Sequence, residues 1–423
     1  MLNILPEKLS LKNRNLAIIL ILFVIEQIFF LAIKAGFIWC VDTPSYMAAW
    51  EKIKCGQIDV FRTPVYPIFI GFFKTLMGDE WCVAGIIAAQ VIIFGISIVA
   101  LNGISQRLFS RDSVSTFVVG FYALWPGINM YCLKLLTESL TMSIMVFLLY
   151  SCYKLYESPV AKWFALSTVW LLLLLFLKPL MLYMVVVIPV VGISWYLSRH
   201  RRSAAYLLVG WCLCCMALGG YSSAINKQLG IPVISIVSVF NEMSIAIQSK
   251  LIDPQKIDNE AAAAVFAEAN TLEAPSSREI RHCMYRIGGV TSMAERYEIL
   301  SDSKRYNRVE WIKSAFTRFY RTLTCSALSF KRFGIFPFGL LYAVLTLYTV
   351  NLFYRWRRGR RIEWIGLFML LSCIGNISVM ILGSIDEWSR LFIPATSVML
   401  LISGEVIMTL RPIAERFIKR QRL

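Results

Sequence analysis

Two motifs, Cys40-Val-Asp42-Thr-Pro-Ser-Tyr46 and Phe61-Arg62-Thr-Pro64-Val-Tyr66-Pro67, follow the first strongly apolar segment of the chain, 15–38. They place an acid, a cation and aromatic rings where a membrane chain would leave the bilayer. Ionisable groups at that depth are costly unless they line a wet cavity. The sequence therefore predicts that 39–67 is a functional loop around which the rest of the chain is organised.

The composition excludes an ordinary soluble protein. Hydrophobic residues make up 58% of the chain and charged residues 16%, and apolar runs near twenty residues recur throughout. This predicts an all-α polytopic membrane protein. A net charge of +17 would indicate nucleic-acid binding in a soluble domain, but here the basic residues lie between apolar runs, where they act as topology signals. We therefore expect membrane lipids, and no nucleic acid, as partners.

The apolar runs predict about ten transmembrane helices. The run 163–197 is too long for one helix, and Lys178-Pro179 divides it into two spans. The segment 67–77 is too short to span and is expected to be a half-helix at the outer face. The other predicted spans are 15–38, 81–104, 115–131, 137–150, 204–221, 336–353, 364–382 and 391–410.

This topology puts the major basic clusters on one side of the membrane. By the positive-inside rule that side is cytoplasmic, so both termini are expected in the cytoplasm and the protein in the inner (cytoplasmic) membrane. The chain then divides into a transmembrane module, 1–222, an extracytoplasmic, partly helical region, 223–334, and C-terminal transmembrane helices with a basic tail, 335–423. Apolar residues at helical spacing also predict an interfacial helix over Ser45–Lys54.

Ionisable and aromatic residues from separate external turns converge on the outer face in this topology. They are Asp42, Tyr46, Arg62, Tyr66, Lys134, Glu138, Lys178, Asp386, Glu387 and Arg390. A polar cluster at one membrane face suits a substrate that is part lipid and part hydrophilic. Glycosyl transfer from a lipid phosphate needs a carboxylate to deprotonate the acceptor hydroxyl and cations to hold the departing phosphate. The cluster supplies both.

Several short motifs follow one another along the chain in a characteristic order. They are Asp42-x-x-x-Tyr46, Arg62-x-Pro64-x-Tyr66-Pro67, Trp125-Pro126 with Leu136-Thr137-Glu138-Ser139-Leu140, Lys178-Pro179, and Glu387-x-x-Arg390-x-x-x-Pro394. Their order and spacing resemble those of the GT-C superfamily of membrane glycosyltransferases. The similarity is closest to bacterial members that look like protein O-mannosyltransferases and the aminoarabinose transferase of lipid A, and it covers roughly Asn15 to Leu410.

The resemblance implies an inverting enzyme that uses a polyprenyl-phosphate-linked sugar at the outer, periplasmic face, with a lipid, glycan or protein as acceptor. The family's catalytic acid falls on Asp42 as general base, and its phosphate-binding cations fall on Arg62, Lys178 or Arg390. The remaining expected substrate-binding residues are Tyr46, Tyr66, Lys134, Glu138 and Glu387. Many relatives carry a second acid where this chain has Thr43, and we therefore expect no metal cofactor.

Each site residue also has a structural explanation. Asp42 can cap the helix that follows it, Glu138 can complement a helix dipole, and Arg62 and Lys178 can extend to the membrane surface. Arg390 can pair with Asp386 or Glu387, and the tyrosines can belong to an interfacial aromatic belt.

Two other functions remain open from sequence. A lipid-linked polysaccharide polymerase or ligase also has about ten spans and outer-face arginines, although it would not be expected to depend on an acid directly after the first span. A transporter or flippase would also bury charges, although it commonly shows paired halves or helices broken at the bilayer midplane.

Overall fold

The computed structural model describes residues 11–33, 38–328, 336–358, 363–385 and 387–421, and the side chains within these ranges from residue 14 to 412. The chain in these ranges folds into helices, and its single β-contact is an isolated bridge between Ser326 and Pro337. The all-α prediction is therefore confirmed.

The first nine helices are α1 (Leu11–Ala32), α2 (Thr43–Lys54), α3 (Val65–Leu108), α4 (Asp112–Leu124), α5 (Pro126–Asn129), α6 (Glu138–Glu157), α7 (Ala161–Leu177), α8 (Met184–Leu197) and α9 (Arg201–Leu229). The next five are α10 (Val237–Gln248), α11 (Glu260–Thr271), α12 (Ser277–Val290), α13 (Met293–Tyr306) and α14 (Arg308–Thr322). The last four are α15 (Phe338–Arg357), α16 (Trp364–Gly383), α17 (Trp388–Phe392) and α18 (Thr396–Gln421). Short 3-10 turns occupy Met130–Leu133, Pro179–Tyr183, Pro254–Lys256 and Ile393–Ala395.

Within the described residues, seven helical stretches are long and apolar enough to cross a membrane, or eight if one bent pair is a single span. The protein is thus a multi-pass membrane protein, as predicted. Length and apolarity alone therefore identify fewer spans than the ten predicted. Helix α7 is apolar but 17 residues long, and α15 is 20 residues long but is not among the seven.

Three breaks divide the apolar helices, each at a residue that explains it. Gly78 kinks α3 with a φ of 72°, a left-handed backbone angle that glycine adopts without strain. Pro126 separates α4 from α5. The chain bends by 49° between α4 and the following segment Pro126–Leu133. Lys178-Pro179 separates α7 from α8, as predicted, because proline cannot donate to the helical ladder. The kink at Gly78 also separates the expected half-helix from the span that follows it.

Most of the predicted site residues lie at one of the two ends of the helical bundle. Helices α3 and α6 both finish at the same end, where Arg107 Nη1 lies 2.7 Å from Glu157 Oε2 and Lys154 Nζ lies 3.1 Å from that oxygen. Both helices begin at the opposite end, with Val65 and Glu138. That opposite end carries the loop 39–67, the α7–α8 break and the start of α17. The helix order therefore brings most of the predicted site residues to one end of the bundle.

Helices α10 to α14 form a helical module, Val237–Thr322, with a hydrophobic core of its own. Helix α9 continues past residue 223 to Leu229 before this module begins. The sequence predicts amphipathic helices over 261–269 and 306–330; α11 covers the first range and α14 lies within the second. Val60, Phe61 and Ile385 pack against the module core. The module therefore sits over the end of the bundle that carries the predicted site.

Candidate functional site

A continuous series of ion pairs joins five of the predicted residues. Arg62 Nη2 lies 2.8 Å from Asp42 Oδ1, and Arg390 donates to Asp42 Oδ2. Arg390 Nε also lies 2.7 Å from Glu138 Oε1, and Lys178 Nζ lies 3.0 Å from the same oxygen. These side chains come from the α2, α3, α6, α7 and α17 ends. We call this set, Arg62, Asp42, Arg390, Glu138 and Lys178, the charged network.

Asp42 occupies the N-cap position of α2, but its side chain does not cap the helix. Its backbone carbonyl accepts the first helical bonds from Ser45 and Tyr46, while both carboxylate oxygens point to guanidinium groups. The capping explanation for this acid is therefore wrong in this structure. Pro44 fixes the first turn of α2, and this turn aims the Asp42 carboxylate away from its own helix.

The backbone of Arg62 is held by an acid that the sequence analysis missed. Asp59 Oδ1 accepts from the amides of Phe61, at 2.9 Å, and Arg62, at 2.6 Å, as in an Asx turn. Arg62 Nε donates to Ser45 Oγ at 2.8 Å, and its guanidinium carbon lies 4.3 Å from the centre of the Tyr46 ring. Arg62 is thus fixed towards Asp42, and its side chain is only 13% exposed.

Glu138 and Lys178 form the buried part of the charged network. Glu138, the first residue of α6, is fully buried, and Lys178 is 8% exposed. Lys178 donates to Glu138 within the bundle instead of extending to the surface, so the expectation that it extends to the surface is wrong here. Glu138 also lies in the first turn of α6, where its charge complements the helix dipole. It therefore both complements the dipole and pairs with Lys178 and Arg390.

Arg390 is the centre of the charged network because it contacts three carboxylates. Besides Asp42 and Glu138, its Nη1 lies 3.2 Å from Glu387 Oε2, which confirms one of the two expected pairings. The other expected partner, Asp386, lies outside the described residues. Glu387 adopts a left-handed backbone angle, φ 59°, which is uncommon for a residue other than glycine. This turn begins α17 and directs Arg390 into the cluster.

The two predicted tyrosines lie next to the charged network. Tyr46 is 5% exposed and Tyr66 is fully buried, and their rings meet edge to face at 4.9 Å. Arg62 Nη1 donates to the Tyr46 hydroxyl at 3.3 Å. The Tyr66 hydroxyl donates to Gln90 Oε1 at 3.1 Å. Tyr66 therefore reaches the cluster through Tyr46, and neither ring belongs to an exposed interfacial belt.

Lys134 lies on the adjoining turn between α5 and α6. Its Nζ is 4.5 Å from the centre of the Tyr131 ring, and its backbone carbonyl accepts from Gln90 Nε2 at 2.9 Å. The same Gln90 Nε2 bonds the carbonyl of Cys132, also at 2.9 Å. The fully buried Gln90 thus connects the Lys134 turn to Tyr66.

Charge within the cluster is balanced. Three carboxylates, including the exposed Glu387, face three cations. The bundle excludes water from Glu138 and Lys178 most completely. Burial alone would raise the pKa of Asp42, but the guanidinium groups of Arg390 and Arg62 outweigh it and hold the pKa below its usual value. In this arrangement Asp42 is ionised at neutral pH and is a weak base, because both of its oxygens already accept from arginine.

The described residues form no candidate metal centre. No group of three or more His, Cys, Asp or Glu side chains that could hold a metal ion occurs in the part of the chain that the structure describes. The carboxylates of the cluster are instead matched with cations.

The helical module borders this cluster directly. Ser235 Oγ donates to the carbonyl of Phe61 at 2.6 Å, and the Ile236 amide donates to the carbonyl of Val60 at 2.9 Å. The Phe61 and Phe240 rings meet edge to face at 6.0 Å. The residue before Arg62 is therefore packed against α10, so the module and the charged network share a wall.

Three supporting residues, Asp59, Gln90 and Ser45, were not predicted from the sequence. Asp59 precedes Phe61-Arg62 at the spacing of an Asx turn, a signal that could have been read. Gln90 and Ser45 carry no such signal, because their roles depend on side chains distant in sequence.

No protein-family model matches this chain, and no curated protein matches it. The assignment of a function therefore depends on the chemistry of the charged network.

Proposed function

We propose that the protein is an integral membrane glycosyltransferase of the GT-C type, which transfers a sugar from a polyprenyl-phosphate-linked donor to an acceptor hydroxyl at the outer face. The single observation that carries this proposal is the arrangement at Asp42. Its two carboxylate oxygens are bound by two different arginines, Arg62 and Arg390. A base and the cations for a phosphate thus occupy one place, at the end of a membrane-spanning bundle.

The proposed topology keeps ten spans, with α7 and α15 added to the eight stretches that length and apolarity support. The basic ends of α3 and α6 then face the cytoplasm by the positive-inside rule. The charged network, at the opposite end, faces outward, and both termini are cytoplasmic.

The reaction needs two functions from the charged network. Asp42 accepts the proton of the acceptor hydroxyl, whose oxygen forms a bond to the anomeric carbon of the sugar. The bond from that carbon to the phosphate oxygen breaks with inversion, and polyprenyl phosphate leaves. The cations Arg62, Arg390 and Lys178 stabilise the negative charge that collects on the departing phosphate.

Donor binding would also activate the base. In the structure, Arg62 and Arg390 pair with Asp42 and lower its basicity. A phosphate between these guanidiniums competes for the same donors, because bidentate arginine contacts suit phosphate and carboxylate alike. Each arginine that turns to the phosphate releases an oxygen of Asp42 for the acceptor. Glu138 keeps Lys178 and Arg390 in position throughout.

The proposal is tested by mass spectrometry of lipids extracted from the purified full-length protein. We expect a polyprenyl-phosphate-linked sugar to copurify with the wild type and with Asp42→Asn, which keeps the cations. Arg390→Ala should lose most of it, because the phosphate then loses a central partner. The control is Asp79→Asn, whose side chain is 81% exposed. An undecaprenyl-linked oligosaccharide in place of a single sugar would favour a polymerase or ligase and overturn the proposal.

A further inference from the structure

Helix α14 of the helical module carries its apolar side chains on the outside. Val309, Ile312, Phe316 and Tyr320 are 63%, 49%, 68% and 72% exposed, respectively. They follow one another at intervals of three or four residues, so they form one continuous stripe along the helix. In a helix surrounded by water such a stripe faces the protein core. Here it faces away from the protein.

The side of α14 that packs against the protein carries three buried polar side chains. Ser314, Arg318 and Thr322 are 8%, 3% and 0% exposed. Arg318 Nη1 donates to Ser314 Oγ at 2.5 Å, and Ser314 Oγ donates in turn to Ser249 Oγ at 2.7 Å. The helix is therefore inverted relative to a soluble amphipathic helix, because hydrogen bonds attach its polar face and its apolar stripe is left outside.

The position of α14 relative to the apolar helices identifies what surrounds the stripe. Arg318 Nε donates to the carbonyl of Ile381 at 2.7 Å, in the last turn of the membrane-length helix α16. That carbonyl is one of the last four of the helix and lacks an intrahelical partner. The next residue, Phe319, contacts a second bundle helix: its ring lies 5.2 Å from that of Tyr342, which belongs to the second turn of α15. Helix α14 thus lies level with the ends of two bundle helices.

We propose that α14 lies in the bilayer surface, with its apolar stripe buried among lipid acyl chains. Exposed basic residues at its two ends, Arg308 and Arg321, suit the phosphate groups of phospholipids at that depth. Leu340, in the first turn of the neighbouring α15, is also 47% exposed, so the apolar surface continues onto the bundle. This inference does not depend on the proposed transferase activity.

This arrangement anchors the helical module on two sides. Lipid holds the stripe of α14, and Phe61 and Ile385 hold the module core next to the charged network. The module therefore stays at a fixed height over the membrane, beside the turn that leads from α16 to Arg390.

The inference is tested by site-specific photo-crosslinking in the full-length protein, reconstituted into phosphatidylglycerol and phosphatidylcholine nanodiscs. The photoreactive residue p-benzoylphenylalanine replaces Phe316 on the stripe or, as the matched control, its neighbour Thr317, which is exposed about 100° around the helix. After irradiation, intact-protein mass spectrometry should show lipid adducts at position 316 at least five times as often as at 317. Replacement of Val350, which is 59% exposed on α15, gives the reference level for a lipid-facing position.

Two outcomes would overturn the inference. One is lipid adducts at position 316 no more frequent than at 317 while Val350 is labelled, which would place the stripe in water. The other is protein adducts at 316, which would show that a second copy or another protein covers the stripe. A second pair, Val309 on the stripe and its exposed neighbour Glu310, repeats the comparison two turns earlier along α14, so a single poorly folded variant does not decide the result.

Discussion

The charged network and the ion pairs of the helical module use the same residue types in opposite surroundings. In the module, Arg286 Nη1 lies 2.6 Å from Glu268 Oε2, and Glu268 is 62% exposed. In the network, Lys178 Nζ lies 3.0 Å from Glu138 Oε1, and Glu138 is fully buried. The longer distance belongs to the pair with the greater energetic consequence, because exposed pairs contribute about 0–1 kcal/mol whereas breaking a buried pair costs about 3–5 kcal/mol. Burial, and not distance, separates the two sets.

This difference also bears on function. A buried set of charges is rarely the most stable way to fill an interior, since well-packed apolar residues often do as well or better. Charges on five separate elements that meet in the bundle, from Arg62 to Arg390, are therefore poorly explained by stability alone. The exposed module pairs need no such explanation.

The largest effect on folding should follow loss of the buried acid. Glu138→Gln leaves Lys178 and Arg390 without their shared counter-ion, and we expect a loss of about 3–5 kcal/mol of stability. The same change at Glu268, Glu268→Gln, should cost less than about 1 kcal/mol. Unfolding by denaturant in detergent micelles measures both. Equal losses for the two variants would contradict the contrast between buried and exposed pairs.

A double-mutant cycle measures the coupling between Glu138 and Lys178, which is a smaller effect. Glu138→Gln leaves the Lys178 cation without this counter-ion, and Lys178→Met removes that cation. The double variant should therefore be more stable than the sum of the two single losses implies, by about 1–3 kcal/mol. The matched exposed cycle, Glu242→Gln with Lys304→Met, breaks a pair of 2.6 Å and should show coupling of less than about 1 kcal/mol. The same denaturation measurements supply all the values. Additive losses at Glu138 and Lys178 would show that the buried contact is not energetically coupled.

The smallest effect concerns pH and Asp42. Its pKa is lowered in the folded protein, so the unfolded chain binds more protons in the acid range and the stabilisation from Asp42 is lost as pH falls. The melting-temperature difference between wild type and Asp42→Asn should be constant from about pH 7 to 5 and shrink below about pH 4, where a free aspartate becomes protonated. Other carboxylates titrate in both proteins and cancel. A difference that changes between pH 8 and 6 would assign the effect to another group.

Much of the fold could be predicted because its signals are local. Proline at position 179 marks the break between α7 and α8, and Pro44 marks the start of α2. Runs of apolar residues predict membrane helices wherever they occur. Helix α15 tests this rule at its margin, because tyrosines, threonines and an asparagine dilute an otherwise apolar run.

The site was predicted as a set of residues, but not as a set of contacts. That Asp42 and Arg390 share one end of the bundle follows from topology, whereas their direct pairing depends on how helices distant in sequence pack. Gln90 was missed because a buried amide in an apolar helix looks like any other polar residue until its partners are known. In α14, periodicity predicted an amphipathic helix, but only packing shows that its polar face is the attached one.

Sugar transfer by the Asp42→Asn variant is the most decisive test of Asp42 as the base. Purified protein is reconstituted with lipids and acceptor material extracted from its host membranes, and mass spectrometry follows conversion of polyprenyl-phosphate-linked sugar to free polyprenyl phosphate. Asp42→Asn keeps the shape of the side chain but removes the base, so we expect at least a hundredfold slower conversion, while Asp79→Asn should match the wild type. Full turnover by Asp42→Asn would contradict the account.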